Sequence, residues 1–137
     1  MKKETREKLA LLEKDVSAEK GEFSLFGLFL REDAKDENKW DILVAAPWLD
    51  ADKKEGLAYL AKEIQKRLES DELLSISRIV ILEKDNPILK AINKSVKVKH
   101  LEFEVEDSNF SGIQITHAFI STSSSANSIV SKSSSKK

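Results

Sequence analysis

The chain of 137 residues is 40% hydrophobic and 34% charged, which is the size and composition of one globular domain rather than of a disordered segment. Its 23 basic and 24 acidic side chains leave a net charge of −1, which excludes a global field that would attract nucleic acid or anionic lipid. The lack of cysteine excludes disulfides and Cys-based metal sites, and the lack of an apolar run near ~18 residues predicts a soluble, cytoplasmic protein with no membrane association.

The first 20 residues carry the pattern of an amphipathic helix. Apolar side chains recur at helical spacing among charged ones, at Leu9, Leu12 and Val16. Gly21 follows, and a glycine is typical of the residue after a helix. We expect this helix to be part of the domain.

Two apolar runs come next, residues 23–30 and 40–46, joined by the charged segment REDAKDENK. Each run predicts a strand, and their spacing predicts an antiparallel pair. Gly27 within the first run indicates a bulge or a close approach to the backbone. Pro47 ends the second run because proline has no N–H group to donate to a sheet.

The apolar period changes to 3.6 residues after Asp52, which predicts a helix over residues 53–69. Asp52 has a glutamate three residues later, and this spacing predicts the N-cap of that helix. An unbroken apolar run then spans residues 79–82. Such a run predicts a fully buried strand at a central position, covered on both faces of the sheet.

The last part of the chain predicts a short helix, a hairpin and a tail. Asn86 and Pro87 supply the N-cap and first residue of the helix PILKAINKS. The alternating segments 96–107 and 112–120 predict two strands joined by a turn. Residues 121–137 are rich in serine, and we expect them to be disordered.

The elements therefore follow the order α-β-β-α-β-α-β-β. This order predicts an α+β fold with one mixed sheet of about five strands and helices packed on it. The helix between the second and third strands favours a parallel pairing of those two strands. The predicted organisation is the helix of residues 1–20, a mixed-sheet core over residues 21–120 and the tail of residues 121–137.

Residues 26–44 resemble a segment of the nucleotidyltransferase superfamily. In that family an apolar strand ends in Gly-Ser, and a following strand begins Asp-x-Asp with carboxylates that bind phosphate-bridging Mg²⁺ ions. Gly27 and Asp41 match the family's glycine and second aspartate. Leu28 and Lys39 replace the serine and the first aspartate. The resemblance thus implies a degenerate nucleotide site at Gly27 and Asp41, with catalysis lost.

A second candidate site lies where the second strand meets the next helix. Pro47, Trp48, Asp50 and Asp52 fall just beyond the C-terminal end of the strand. Open α/β sheets usually bind ligands at this position, and tryptophan is common at subunit interfaces. The alternative is that Asp52 caps the helix while the Trp48 indole packs against the core.

Two further groups of side chains are candidates for binding. His100 and His117 are predicted to lie on paired strands, with His117 opposite Leu101 and the two imidazoles on opposite faces, which excludes a shared metal ion. The basic run from Lys90 to Lys99 could bind RNA. Core-like valines interrupt that run and acidic residues follow it, so a solvated sheet edge is favoured.

No intact catalytic set, phosphate loop or ligand cluster is visible in the sequence, so we predict no catalytic residue, metal or cofactor. We expect a non-enzymatic domain that acts through protein–protein contacts, either as a homo-oligomer or with another protein partner. Two alternatives remain open. One is a nucleotide-binding or inactive nucleotidyltransferase-like protein, and the other is a weak RNA-binding module.

Overall fold

A mixed sheet of five strands organises the computed structural model, which describes residues 1–124. The strands are β1 (Leu25–Arg31), β2 (Trp40–Ala45), β3 (Ile76–Ile81), β4 (Phe103–Phe110) and β5 (Ile113–Ser123). The helices in this part of the chain are α1 (Lys3–Lys20), α2 (Pro47–Ala51), α3 (Lys53–Arg67), α4 (Ser70–Leu73) and α5 (Pro87–Ser95). A 3-10 helix, Glu32–Glu37, joins β1 to β2. None of these helices combines the length and apolar character that crossing a membrane requires.

The strand order is β3-β2-β1-β5-β4. β2 and β3 are parallel, and the other three neighbouring pairs are antiparallel. The predicted α+β fold, the β1–β2 hairpin and the parallel pairing of β2 with β3 are confirmed. The long connection from β2 to β3 is the segment that contains α3, as parallel neighbours require.

Local capping signals set the starts of two helices. The Asp52 side chain accepts a hydrogen bond of 3.1 Å from the Glu55 N–H at the start of α3. The Asn86 side chain accepts one of 2.8 Å from the Ile88 N–H at the start of α5. Both predicted N-caps are confirmed. They could be predicted from the sequence because a cap depends only on residues within one turn.

The core consists of two layers, one on each face of the sheet. On the front face, α1 and α3 pack on the sheet through side chains such as Leu12 and Leu60, which are almost fully buried. On the back face, α5 packs on the sheet through Leu89 and Ile92. Because α5 has only nine residues, it covers only part of the back face.

The prediction that the third strand is central and covered on both faces is wrong. β3 pairs with β2 alone among residues 1–124 and lies at the edge of the sheet. Arg78 is exposed, and Ile79, Val80 and Ile81 are only half-buried. An unbroken apolar run is typical of strands inside parallel sheets, but β2–β3 is the single parallel pair in this sheet.

The predicted register of the last hairpin is also wrong. Glu106, rather than Leu101, lies opposite His117. Ser111 and Gly112 form a two-residue turn with φ of 54° and 92°, so the paired strands run up to the turn. β5 continues to Ser123, three residues past the predicted boundary at residue 120. The rest of the predicted tail, residues 125–137, lies outside the described residues.

Candidate protein-binding site

An apolar pocket opens on the back face of the sheet, on the part that α5 leaves uncovered. Phe29, Leu43 and Val80 contribute from three adjacent strands. Ile88 of α5 and Ile113 of β5 are further lining residues. The cavity volume is about 100 Å³. Small-molecule sites usually measure about 300–1,000 Å³, so this pocket has room for roughly one apolar side chain.

A cluster of charged side chains borders the pocket. Asp41 is 3% exposed, and its Oδ2 accepts hydrogen bonds from Arg31 Nε at 3.0 Å and Arg78 Nη2 at 3.3 Å. Arg78 Nε also lies 3.3 Å from Asp41 Oδ1, but this ion pair lacks the alignment of a hydrogen bond. Arg31 extends the cluster through Nη1 to Asp33 at 2.8 Å. The buried carboxylate is thus held by two cations, as a buried charge requires.

The strand register explains why these charges meet. Phe29 lies opposite Asp41 on one side, and Arg78 lies opposite Asp41 on the other. Side chains alternate between the faces of a strand, so Asp41 shares the back face with Leu43, and Arg78 shares it with Val80. The pocket and the charge cluster are therefore neighbours on one surface.

The outer edge of β3 lies beside this pocket. The Leu82 N–H donates to the Val44 carbonyl at 2.9 Å, so by alternation the N–H and C=O groups of Ile79 and Ile81 point away from β2. No strand pairs with them within residues 1–124. Arg78 is the single charged residue of β3, and sheet edges are usually protected by several charges. β4, at the other edge, carries three acidic side chains.

The residues from Pro47 to Asp52 include the starts of α2 and α3 and a tryptophan that packs against the core. Pro47 is the first residue of α2, and the Asp52 side chain caps α3. Trp48 Nε1 donates a hydrogen bond of 3.1 Å to the Gly21 carbonyl, and its ring packs edge-on against Phe23. Trp48 and Asp52 line a surface groove, whereas Pro47 and Asp50 do not.

Asp50 is exposed at the surface near the loop that follows β3. Partial desolvation, with the nearby negative charge of Glu83 as a second cause, raises the pKa of the Asp50 carboxyl above its ordinary value. Glu83 itself forms an ion pair with Lys53. Asp50 therefore lies among charges of both signs rather than facing the Trp48 groove.

Gly27 and Asp41 lie on the back face but are not adjacent. Gly27 pairs with Leu43, and a Cβ at Gly27 would be 2.7 Å from Cε1 of Phe29. The glycine thus allows close packing within the sheet. Lys39 donates to the Leu74 carbonyl at 3.1 Å. The nucleotidyltransferase resemblance stays a prediction.

His100 contacts two carboxylates, including that of Glu22 at 3.1 Å from its Nε2, and His117 contacts a third. His100 Nδ1 lies 2.8 Å from Oε1 of Glu13, and His117 Nε2 lies 2.6 Å from Oε2 of Glu104. Glu13 is fully buried in α1, and its Oε2 accepts hydrogen bonds from Ser17 at 3.2 Å and from Thr122 at 2.8 Å. This network joins α1 to β5 and to the segment before β4. No pattern in the sequence indicates this network, because Glu13 fits the charged pattern of an exposed helix face.

Two lysines of the basic run have partners among the described residues. Lys97 Nζ donates to the Asn93 carbonyl at 2.8 Å, and Lys99 Nζ lies 4.0 Å from a Glu22 oxygen. Lys90 and Lys94 are exposed on α5. The RNA-binding alternative stays a prediction.

Sequence reasoning missed the pocket because its residues come from six separate elements. One signal was present in the sequence. Every second residue from Arg78 lies on one face of its strand, which groups Arg78, Val80 and Leu82, and the same spacing groups Asp41 with Leu43. That alternation indicates a face with a charged end and an apolar end.

Comparisons of this chain with protein-family models, with curated proteins and with solved structures find no match.

Proposed function

We propose that this chain is a protein-interaction domain that binds an extended segment of another protein along the edge of β3. The partner segment adds a strand next to β3 and places one apolar side chain in the back-face pocket. An acidic side chain of the segment pairs with Arg78. The observation that carries this proposal is that the pocket, the open edge and the exposed arginine share one surface.

The first step of the binding is backbone pairing. The outward N–H and C=O groups of Ile79 and Ile81 supply donors and acceptors in the spacing of a strand. Each hydrogen bond formed there contributes about 0.5–1.5 kcal/mol net of the lost water contacts. Backbone pairing supplies affinity with little dependence on the partner's sequence, as in other strand-addition complexes.

The second step is insertion of a side chain, and it supplies sequence preference. The pocket of about 100 Å³ suits one leucine, isoleucine or phenylalanine side chain, given its apolar walls. Fully burying such a side chain contributes about 1.5–3 kcal/mol. Val80 lines the pocket from β3 itself, so a strand paired with β3 lies next to the pocket.

The third step is charge pairing. The Arg78 side chain is 57% exposed, and its Nη1 makes no hydrogen bond within residues 1–124. A carboxylate on the added strand can bind that nitrogen while Asp41 keeps its hydrogen bond with Nη2 and its ion pair with Nε. Because this contact is exposed, it contributes at most about 1 kcal/mol and serves selectivity.

The test is selection from a library of displayed random dodecapeptides on the immobilised full chain, followed by fluorescence anisotropy with the recovered peptides. We expect peptides with an apolar residue near an acidic one. Val80→Phe fills the pocket, and Ile79→Pro removes an outward N–H that the β2–β3 ladder does not use. Each should weaken binding at least about tenfold.

Val105→Phe is the matched control, since Val105 is a half-buried valine of the opposite edge strand, β4. It should change the affinity less than about twofold. Circular dichroism confirms that each variant is folded. Unchanged binding in both β3 variants, or no recovered peptide, refutes the proposal. A dimer in sedimentation equilibrium that Ile79→Pro dissociates would assign the edge to a second copy of the chain instead.

A further inference from the structure

The β4–β5 hairpin brings three metal-ligating side chains together on the front face, away from the β3 edge. Glu104 and Glu106 are two residues apart on β4 and so share a face. His117 of β5 lies directly opposite Glu106. One ligand atom from each of these three residues lies within 4.8 Å of the others. His117 Nε2 and Glu104 Oε2 are 2.6 Å apart.

The aromatic neighbours of His117 hold its ring in place. The Phe119 ring centroid is 4.6 Å from the imidazole centroid, and the Trp40 centroid is 5.7 Å from it. Trp40 is itself 2% exposed and donates to Asn38 at 3.2 Å. One ligand of the three is therefore fixed by packing, whereas the two exposed carboxylates can rotate towards a bound ion.

Neither of the two glutamates contacts a lysine or arginine among the described residues. Glu106 forms no ion pair within the described part of the chain, residues 1–124. The nearby Arg6 is already bound to Glu102 at 3.1 Å and lies over the Phe119 ring at 4.2 Å. Two carboxylates on the same face of one strand repel each other, and a bound cation would remove this repulsion.

We propose that Glu104, Glu106 and His117 bind one divalent transition-metal ion, for which Zn²⁺ is the best match. Zn²⁺ takes imidazole nitrogen and carboxylate oxygen at about 2.0–2.2 Å, usually with four ligands, so three side chains leave one position for water. Mg²⁺ and Ca²⁺ prefer sites made only of oxygen, which a histidine ligand disfavours. Ligand atoms of a tetrahedral Zn²⁺ lie roughly 3.3–3.6 Å apart. The widest pair must therefore approach and the hydrogen-bonded His117–Glu104 pair must separate, which rotation of the exposed glutamates allows.

The test is isothermal titration calorimetry of ZnCl₂ into the full chain in a buffer that does not chelate zinc. We expect one site per chain, with Glu106→Gln and His117→Asn each weakening the affinity at least tenfold. Glu102→Gln is the matched control, because it removes an adjacent carboxylate outside the set. It should leave the affinity within twofold.

A second readout uses the tryptophan beside the histidine. In a Trp48→Phe background, Trp40 is the remaining tryptophan, and one equivalent of Co²⁺ should quench its fluorescence. His117→Asn should abolish that quenching while the metal-free melting temperature shows that the variant is folded. No zinc binding at millimolar concentration, several equivalent weak sites, or an affinity unchanged by Glu106→Gln would show that any binding is adventitious.

Discussion

The fully buried carboxylate of Glu13 gives the sharpest test of the fold. Its oxygens bind Ser17, Thr122 and His100, which belong to α1, β5 and the segment before β4. Thr122 also accepts a hydrogen bond from the His100 N–H at 3.0 Å, so its hydroxyl links the backbone to the carboxylate. Glu13→Ala removes the common partner of all these groups.

The expected loss in the free energy of unfolding follows from the contacts that remain unpaired. Thr122 is 1% exposed, and an unsatisfied buried hydroxyl costs about 1–3 kcal/mol. His100 keeps access to water, which limits its share. Ser17 loses the same acceptor, so with two buried hydroxyls left unpaired we expect Glu13→Ala to cost about 2–5 kcal/mol in total. The melting temperature should drop by roughly 10–20 °C for a domain of this size.

Urea unfolding followed by circular dichroism and linear extrapolation measures this loss. Glu7→Ala is the matched control, because it makes the same change at an exposed position of α1 and should stay within about 0.5 kcal/mol of the wild type. A double-mutant cycle with Thr122→Val should give a coupling energy of about 0.5–3 kcal/mol. A loss below about 1 kcal/mol for Glu13→Ala would refute the reasoning, because an unpaired buried Thr122 hydroxyl alone should cost that much.

Three other substitutions test separate parts of the fold. Gly27→Ala should lower the free energy of unfolding by about 1–3 kcal/mol through the contact with Phe29, and an unchanged urea midpoint would contradict the close packing there. The hydrogen bond from Lys8 is the largest cause that lowers the pKa of Glu72 to about 2, so the stabilisation by Glu72 is complete above about pH 4.5 and is lost as the pH falls towards 2. Glu72→Gln should flatten the melting temperature across that window, and a slope equal to the wild type would count against it. Trp48→Phe should cost about 0.5–1.5 kcal/mol by removing the indole hydrogen bond, and unfolding monitored by circular dichroism measures the loss.

Part of the candidate site was visible in the sequence and part was not. Gly27 and Asp41 were singled out through a resemblance, and the structure places Asp41 at the rim of the back-face pocket. Its partners Arg31 and Arg78 were not predicted, because Arg78 reaches Asp41 only through the β2–β3 pairing. Residues 37 positions apart in the sequence meet there, and no local pattern records that.

The starts of two helices and the pairing of β1 with β2 were determined by the sequence alone. Asp52 and Asn86 start their helices through side chains that reach only the next turn, and β1 pairs with β2 across a short connector. Tertiary structure decided the order of the sheet. β5 pairs with β1, which leaves β3 at the edge with half-buried isoleucines. An apolar run such as that of β3 is compatible with a central strand and with an edge strand. Its burial depends on which distant strands pair beside it, and the run itself does not determine that.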